Sequence, residues 1–388
     1  MRVLIDYRSA LRGRSGVGEY VHQLVRALLD LAPHRGGSDS IDITLFSSSW
    51  KDRLHLPAEI SDAKVVDRRV PVSVLNLAWH RAGWPPVEIL ARGAFDVTHS
   101  LHPLLMPARR SAQVVTIHDL NFLVHPERTR AEIRRDYPRL ARLHAHRADR
   151  VIVPSRFTAG EVERQLQVPR SQISVCSPGA PDWSPRSKRP EDGYILFLGT
   201  LEPRKNVGAL LDAYEHLLST DAAVIPSLVL AGQATAESKP WLDRLSRAPL
   251  EGHVRHLGYV EPADRKRVYE GARLLVQPSF EEGFGIPVLE AMTLGIPVVA
   301  AHRGALPEVL GDAGLLVDAE DSRHLAGAIR RLVEDEALAA SCGAKGVIRA
   351  RQFRWSATAE RMVEAYELAV AHRGARAGSS GRGSCESA

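Results

Sequence analysis

Short apolar runs alternate with amphipathic stretches along most of this chain. In the first half the runs are Val3-Leu4-Ile5-Asp6, Ile41 to Phe46, Phe95 to His99, Gln113 to Ile117, Arg150 to Ser155 and Ile173 to Cys176. In the second half they are Tyr194 to Gly199, Leu228 to Gly232, Val254 to Tyr259, Leu274-Leu275-Val276, Ile296 to Ala301 and Leu315-Leu316-Val317. Each is too short for a helix, and many are apolar at successive positions, the pattern of strands covered on both faces in a parallel sheet. Between them apolar residues recur at helical spacing, as at Val21, Leu24, Val25, Leu28 and Leu29. Helices are expected from near Val207, over 322–334, over 338–351 and over 356–371. Strand and helix in alternation predict an α/β fold of doubly wound sheets. The alternation breaks once, at the polar, proline-rich segment 181–193, and then restarts. The pattern therefore predicts a domain over 1–180, a linker over 181–193, a second domain over 194–355, a terminal helix over 356–372 and a Gly/Ser-rich disordered tail over 373–388.

Composition narrows this picture only a little. A net charge of +5 over 388 residues is mild. It allows attraction to an anionic substrate or membrane surface and gives no reason to expect nucleic acid, for which no binding motif is present. Cys176, Cys342 and Cys385 are far apart and suggest neither a disulfide framework nor a metal site, and a reduced cytoplasmic setting is expected. The first residues enter a strand rather than a signal peptide, and no run is long enough to span a bilayer. The Arg-rich stretch 127–148 reads first as a solvated face interrupted by Pro138. It is also the candidate for peripheral contact with the inner face of a membrane. Trp79, Trp84, Pro85 and Pro86 mark a second candidate surface, on the acceptor side, with buried aromatics as the alternative.

Chemistry concentrates in the stretch Glu281 to Met292. Gly283 and Gly285 let the backbone approach a ligand, Pro287 suits a first helical turn, and the N–H groups of that helix start favour an anion. Glu282 and Glu290 flank the turn with seven residues between them. A ligand carrying both hydroxyls and phosphate, such as a nucleotide sugar, would suit it; a plain turn with a dipole-compensating acid is the simpler alternative. Arg204 and Lys205 follow the strand at Tyr194 and precede a helix, where a planar fork and a point charge suit a diphosphate. Gly232 ends the next strand and would admit a nucleotide. His118, with Asp119, ends the strand at Gln113 to Ile117, at the carboxyl edge where open α/β sheets hold ligands. There it would donate to a sugar hydroxyl or a phosphate oxygen. The loop Gly13-x-x-Gly16-x-Gly18 lacks the dinucleotide-binding spacing.

These motifs resemble one family. Glu282-Gly-Phe-Gly-Ile-Pro-Val-Leu-Glu290-Ala-Met resembles the Glu-x7-Glu signature of the retaining glycosyltransferases of family 4 (GT4). Those enzymes have the GT-B fold of two Rossmann-like domains facing a cleft. Gly16-Val17-Gly18 resembles the family's N-terminal glycine loop, and Val115-Thr-Ile-His118-Asp-Leu its His-Asp motif, where the histidine faces the donor sugar. Gly199-Thr-Leu-Glu-Pro-Arg204-Lys205-Asn is similar to a subgroup, often mannosyltransferases, whose Arg and Lys bind the donor diphosphate; many other members have Gly-Arg-Leu where this chain has Gly199-Thr200-Leu201. The resemblance covers about residues 1–372; it implies that the second domain binds the donor and the first the acceptor, and that the terminal helix over 356–372 crosses back to the first domain.

The resemblance implies a hexosyltransferase that moves a hexose, with GDP-mannose the favoured donor, to a glycan or lipid-linked acceptor, as in polysaccharide biosynthesis. Catalytic roles fall to His118, Arg204, Lys205 and Glu282. Donor binding falls to Gly16, Gly232, Gly283, Phe284, Gly285 and Glu290, the last on the ribose. The loop Val260-Glu261-Pro262 would border the nucleobase. No metal and no further cofactor is expected, since the two cations meet the diphosphate charge. The alternatives are a 2-epimerase-like enzyme of the same fold, a non-catalytic nucleotide-sugar-binding protein and a basic membrane-surface adaptor.

Overall fold

The computed structural model describes the chain apart from residues 12–15, 35–39, 125–130, 222–224 and 383–388, and apart from the side chains at 34, 124, 131–136, 221 and 377–382. The chain divides into two compact units, Met1–Gly179 with the segment from Trp355 onward, and Ala180–Arg354.

The first unit holds strands β1 (Arg2–Asp6), β2 (Asp42–Ser48), β3 (Lys64–Arg68), β4 (Val97–Ser100), β5 (Ala112–Thr116), β6 (Arg150–Val153) and β7 (Ile173–Val175). They form one sheet in the order β3-β2-β1-β4-β5-β6-β7, every pair parallel. β3 has no counterpart among the runs expected from the pattern. Lys64-Val-Val-Asp-Arg has two apolar residues, lies at the edge of the sheet and is nowhere fully buried, so the continuous apolar signal of an inner strand is missing.

The second unit holds β8 (Tyr194–Leu198), β9 (Leu228–Ala231), β10 (Val254–Gly258), β11 (Ala272–Gln277), β12 (Val298–Ala301) and β13 (Leu315–Val317). Its sheet runs β10-β9-β8-β11-β12-β13, again all parallel. Its two faces feed two separate cores, and successive residues show it. Ile195 and Phe197 join one with Leu228, Leu230, Leu274 and Val276, while Leu196 joins the other with Val229, Ala231 and Leu275. A strand covered on both sides must be apolar at every position, which is why these runs are continuous.

The terminal helix, Trp355–Arg382, belongs to the first unit and packs on the helix Val17–Leu31 and on β4, β5 and β6. Tyr366 is fully buried and bonds His99 Nδ1 at 2.8 Å, while His99 Nε2 meets Thr116 Oγ1 at 2.8 Å. Thr358 Oγ1 donates to the Ser177 carbonyl at 2.6 Å. The helix continues through 373–382, part of the segment expected to be disordered: its Gly and Ser residues weaken a helix without forbidding one that is already started. The remainder of that tail, with Cys385, lies outside the described residues. The Arg-rich stretch is likewise described only in part. A helix spans Ala131–Arg147 and continues through Pro138 rather than breaking there. Arg128 and Arg130, and the side chains of Glu132, Arg134, Arg135 and Asp136, fall outside the described set.

Candidate active site

In the second sheet the strand order reverses between β8 and β11. Loops leaving the carboxyl ends of two such strands diverge to opposite faces, and the crevice between them is where open α/β sheets bind ligands. The β8 loop carries Arg204 and Lys205 in the turn Pro203–Lys205, closed by Asn206 in the left-handed region at φ 55°. The β11 loop carries Glu281, Glu282 and Gly283. Phe280 N donates to the Arg204 carbonyl at 2.9 Å, and Asn206 Nδ2 donates to the carbonyls of Pro278 and Ala319 at 3.2 and 2.8 Å. The two loops are thus stitched together by backbone groups and one buried amide.

That stitching brings the expected cations onto an expected acid. Lys205 Nζ lies 2.5 Å from Glu282 Oε1, and Arg204 Nη1 lies 3.7 Å from Oε2. Arg204 Nε also pairs with Glu202 at 2.6 Å. Glu282 and Lys205 are buried, whereas Arg204 keeps 23% of its side chain exposed. Burial pushes the Glu282 carboxyl up. The charges of Lys205 and Arg204, with hydrogen bonds from Lys205 and Ser279, outweigh burial and hold it at about 2. Glu282 is therefore a carboxylate at neutral pH, suited to accept hydroxyls and unsuited to donate a proton.

Glu290 has a different setting. It lies in the helix Ile286–Thr293, which Gly285 caps at φ 102° and whose first turn contains Pro287. Arg265 Nη1 meets Glu290 Oε1 at 2.7 Å, and the Tyr269 hydroxyl donates to Oε2 at 2.8 Å. Both partners sit on the helix Pro262–Glu270, directly after the loop expected to border a nucleobase. The structure therefore gives the two acids separate sets of partners. The Phe284 side chain belongs to the core, edge-on to Phe353 with ring centroids 5.6 Å apart. Gly232 is demanded by backbone alone: its φ is 144°, and a Cβ there would stand 2.0 Å from the Gly199 carbonyl oxygen.

In the first unit His118 follows β5, edge-on to Tyr20 with centroids 5.0 Å apart. Its Nε2 bonds the Leu101 carbonyl at 3.2 Å, and burial pushes its pKa below the ordinary value. The ring is neutral near pH 7 with Nε2 as the donor. The N–H anticipated for a sugar hydroxyl or a phosphate is thus already engaged, which leaves Nδ1 to accept. Gly16 is exposed at φ 53°, beside residues 12–15, which lie outside the described set, as does Gly13. Trp79 is buried and donates to the Pro85 carbonyl at 2.9 Å, whereas Trp84 is 60% exposed. Among the described residues no group of three His, Cys, Asp or Glu side chains could hold a metal ion, and no helix is long and apolar enough to cross a membrane.

Two family models match this chain. Residues 14–182 match the model described as Glycosyltransferase Family 4, and residues 181–348 the model described as Glycosyl transferases group 1. Over 278 residues the chain is 34% identical to O-antigen chain mannosyltransferase B of Escherichia coli, spanning 68% of this chain and 72% of that protein. The chain belongs to glycosyltransferase family 4. This glycosyltransferase is also 29% identical over 214 residues to a D-inositol 3-phosphate glycosyltransferase of Corynebacterium glutamicum, about half the length of each. Solved structures share its GT-B fold. Sucrose-phosphate synthase from Thermosynechococcus elongatus superposes with a TM-score of 0.75 at 21% identity, over 96% of this chain and 99% of that one. HepE of Anabaena, solved with UDP and glucose, superposes with a TM-score of 0.69 at 20% identity, over 94% and 98%.

Several residues of this glycosyltransferase's candidate site were not anticipated: Glu202, Asn206, Arg265, Tyr269, Gln277 and Ser279. Gln277 left a usable signal, since it is a polar residue directly after the apolar run Leu274-Leu275-Val276, and Glu202 and Asn206 stand in the quoted Gly199 to Asn206 motif, though no role was expected of them. Arg265, Tyr269 and Ser279 become visible only once separate segments are brought together.

Proposed function

We propose that this family 4 glycosyltransferase moves mannose from GDP-mannose to a hydroxyl of a glycan or lipid-linked acceptor, with retention at the anomeric carbon. The observation that carries the reading is the Arg204–Lys205 pair set against Glu282 at the point where the strand order reverses. Arg204 and Lys205 neutralise the departing diphosphate, helped by the helix start after Gly285; stabilisation of developing charge of this kind is usually the largest catalytic term. Glu282 accepts hydroxyls of the donor sugar and Glu290 those of the ribose. His118 accepts a sugar hydroxyl at Nδ1. The mannose assignment is supported by the Thr200 to Asn206 motif and by the mannosyltransferase of E. coli among the relatives.

The experiment is a thermal-shift titration against GDP, UDP, ADP and their hexose conjugates, because a ligand bound only by the folded state raises its stability. Stabilisation by GDP and GDP-mannose over the rest is expected. Selective stabilisation by UDP-sugars would overturn the mannose assignment. No response to any nucleotide would overturn the enzymatic reading.

We also propose peripheral contact with an anionic membrane, at a surface other than the Arg-rich stretch. On the helix Val72–Ala82, Val74 and Leu77 are 55% and 61% exposed, with Arg81 on the same face and Trp84 just beyond. Arg69 and Arg92 are exposed nearby, and the single acid of 69–94, Glu88, is occupied by backbone N–H groups of Arg109 and Arg110. Exposed aliphatics with a Trp, and cations that meet no acid among the described residues, match an anionic lipid interface. Co-flotation with vesicles containing phosphatidylglycerol, lost in L77D/W84A, is the expected result. Equal flotation of that variant would remove the assignment.

A further inference from the structure

Gln277 closes β11 in the middle of the sheet with no exposed surface, a position that parallel strands ordinarily give to an apolar side chain. Its Nε2 donates to Glu282 Oε1 at 2.9 Å and to Ser279 Oγ at 3.0 Å. Ser279, also fully buried, donates its hydroxyl to the same Glu282 oxygen at 2.8 Å. With Lys205 Nζ at 2.5 Å, Oε1 takes three donors. Oε2 takes no hydrogen bond from the described residues and lies 3.7 Å from Arg204 Nη1.

The cost of this arrangement is visible at the other end of the amide. Gln277 Oε1 is buried and has no hydrogen-bond partner. A carboxylate only accepts, so the amide must turn its NH2 toward Glu282, and its carbonyl oxygen is left unpaired as a result. An orphaned buried acceptor is unfavourable. A leucine or methionine at 277 would remove that penalty and pack as well. The sheet does not need the amide; Glu282 is the group that gains from it.

We infer that Gln277 and Ser279 are positioning residues that saturate one oxygen of Glu282, so that the other alone is presented to a donor-sugar hydroxyl. Neither touches the donor. They act by fixing the carboxylate's rotamer and keeping it ionised. The inference rests on the proposed donor site. It adds that sugar recognition by Glu282 runs through Oε2 and depends on a two-residue support that the diphosphate does not use.

The test compares the parent with Gln277→Met, which keeps length and volume without a donor, and with Ser279→Ala. Affinity for GDP and for GDP-mannose is measured by calorimetry, together with kcat and KM for GDP-mannose across pH. GDP binding is expected to stay within about twofold of the parent, because Arg204 and Lys205 are retained. Turnover of GDP-mannose is expected to fall about 10- to 100-fold, the loss of a hydrogen bond to a charged group. The acid limb of the rate profile is expected to move to higher pH, because the Glu282 carboxylate has lost a donor. Ser279→Thr, which keeps the hydroxyl, is expected to restore parental values. GDP and GDP-mannose weakened equally in both variants, or a rate profile unchanged in shape and height, would overturn the inference while leaving the donor site standing. A parent that binds neither GDP nor any other nucleotide would overturn the donor site and the inference with it.

Discussion

Lys205 and Glu282 are 77 residues apart in sequence and 2.5 Å apart in space. Breaking a buried ion pair by removing one partner leaves the other charge desolvated and uncompensated, at a cost of about 3–5 kcal/mol. Lys205→Ala is therefore expected to lower unfolding free energy by about that much, read from denaturant midpoints, and to cut turnover by about 100-fold or more. Arg204→Ala is expected to match the activity loss with a far smaller stability loss, because its side chain is partly exposed and already shared with Glu202. A stability change equal in the two variants would contradict this division. Glu282 also sets a pH dependence. Its folded value lies below the ordinary carboxyl range, so its stabilising effect is present above about pH 4.5 and is lost as pH falls toward about 2. In Lys205→Ala the folded value rises, so this stabilising effect shrinks and its pH window narrows from the acid end. At this scale the residue types were legible in sequence: adjacent cations after a strand, and an acid before a glycine turn. Their pairing was not, because nothing local says which acid a lysine will meet.

The next scale is the pair of helices Pro262–Glu270 and Ile286–Thr293, joined through Glu290. Tyr269 is fully buried and its hydroxyl pKa is raised well above the ordinary value by burial and by Glu290, so it stays protonated and keeps donating. Tyr269→Phe keeps the ring and removes the hydroxyl's hydrogen bond to Glu290 Oε2. A loss of about 1–3 kcal/mol is expected in chemical unfolding. Weaker binding of GDP-mannose is expected alongside it, if Glu290 carries the ribose. Parental stability in that variant would show that water replaces the hydroxyl and that the two helices are not coupled through it. The sequence disclosed the second of these helices by Pro287 in its first turn, and of the first only the turn at Val260-Glu261-Pro262, because Pro262–Glu270 is largely polar and carries no apolar spacing. It gave no sign that one holds the candidate acid of the other, because Arg265 and Tyr269 stand 25 and 21 residues from Glu290 and no local pattern links them to it.

At the scale of the molecule, periodicity and punctuation determined much. Continuous apolar runs in regular alternation with helices require parallel sheets covered on both faces, and the polar segment 181–193 falls where the chain leaves its first unit. Spacing placed Glu282, Arg204, Lys205 and His118 after the carboxyl ends of strands, and Glu290 in the helix that follows the glycine turn, which is a local property of the chain. Three things were decided only by tertiary structure. Strand order decided that the β8 and β11 loops share the reversal point. Long-range packing decided which contacts hold the terminal helix, which the resemblance already sends back to the first domain, such as Tyr366 with His99, 267 residues apart. Burial decided protonation and direction: which oxygen of Glu282 is filled, which nitrogen of His118 is spent, and why Gly232 must be glycine. A sequence records how each segment alternates between core and water, and that suffices for secondary structure and fold class. Hydrogen-bond partners, charge states and free lone pairs depend on atoms brought together from distant segments, and these are fixed only when the sheet closes.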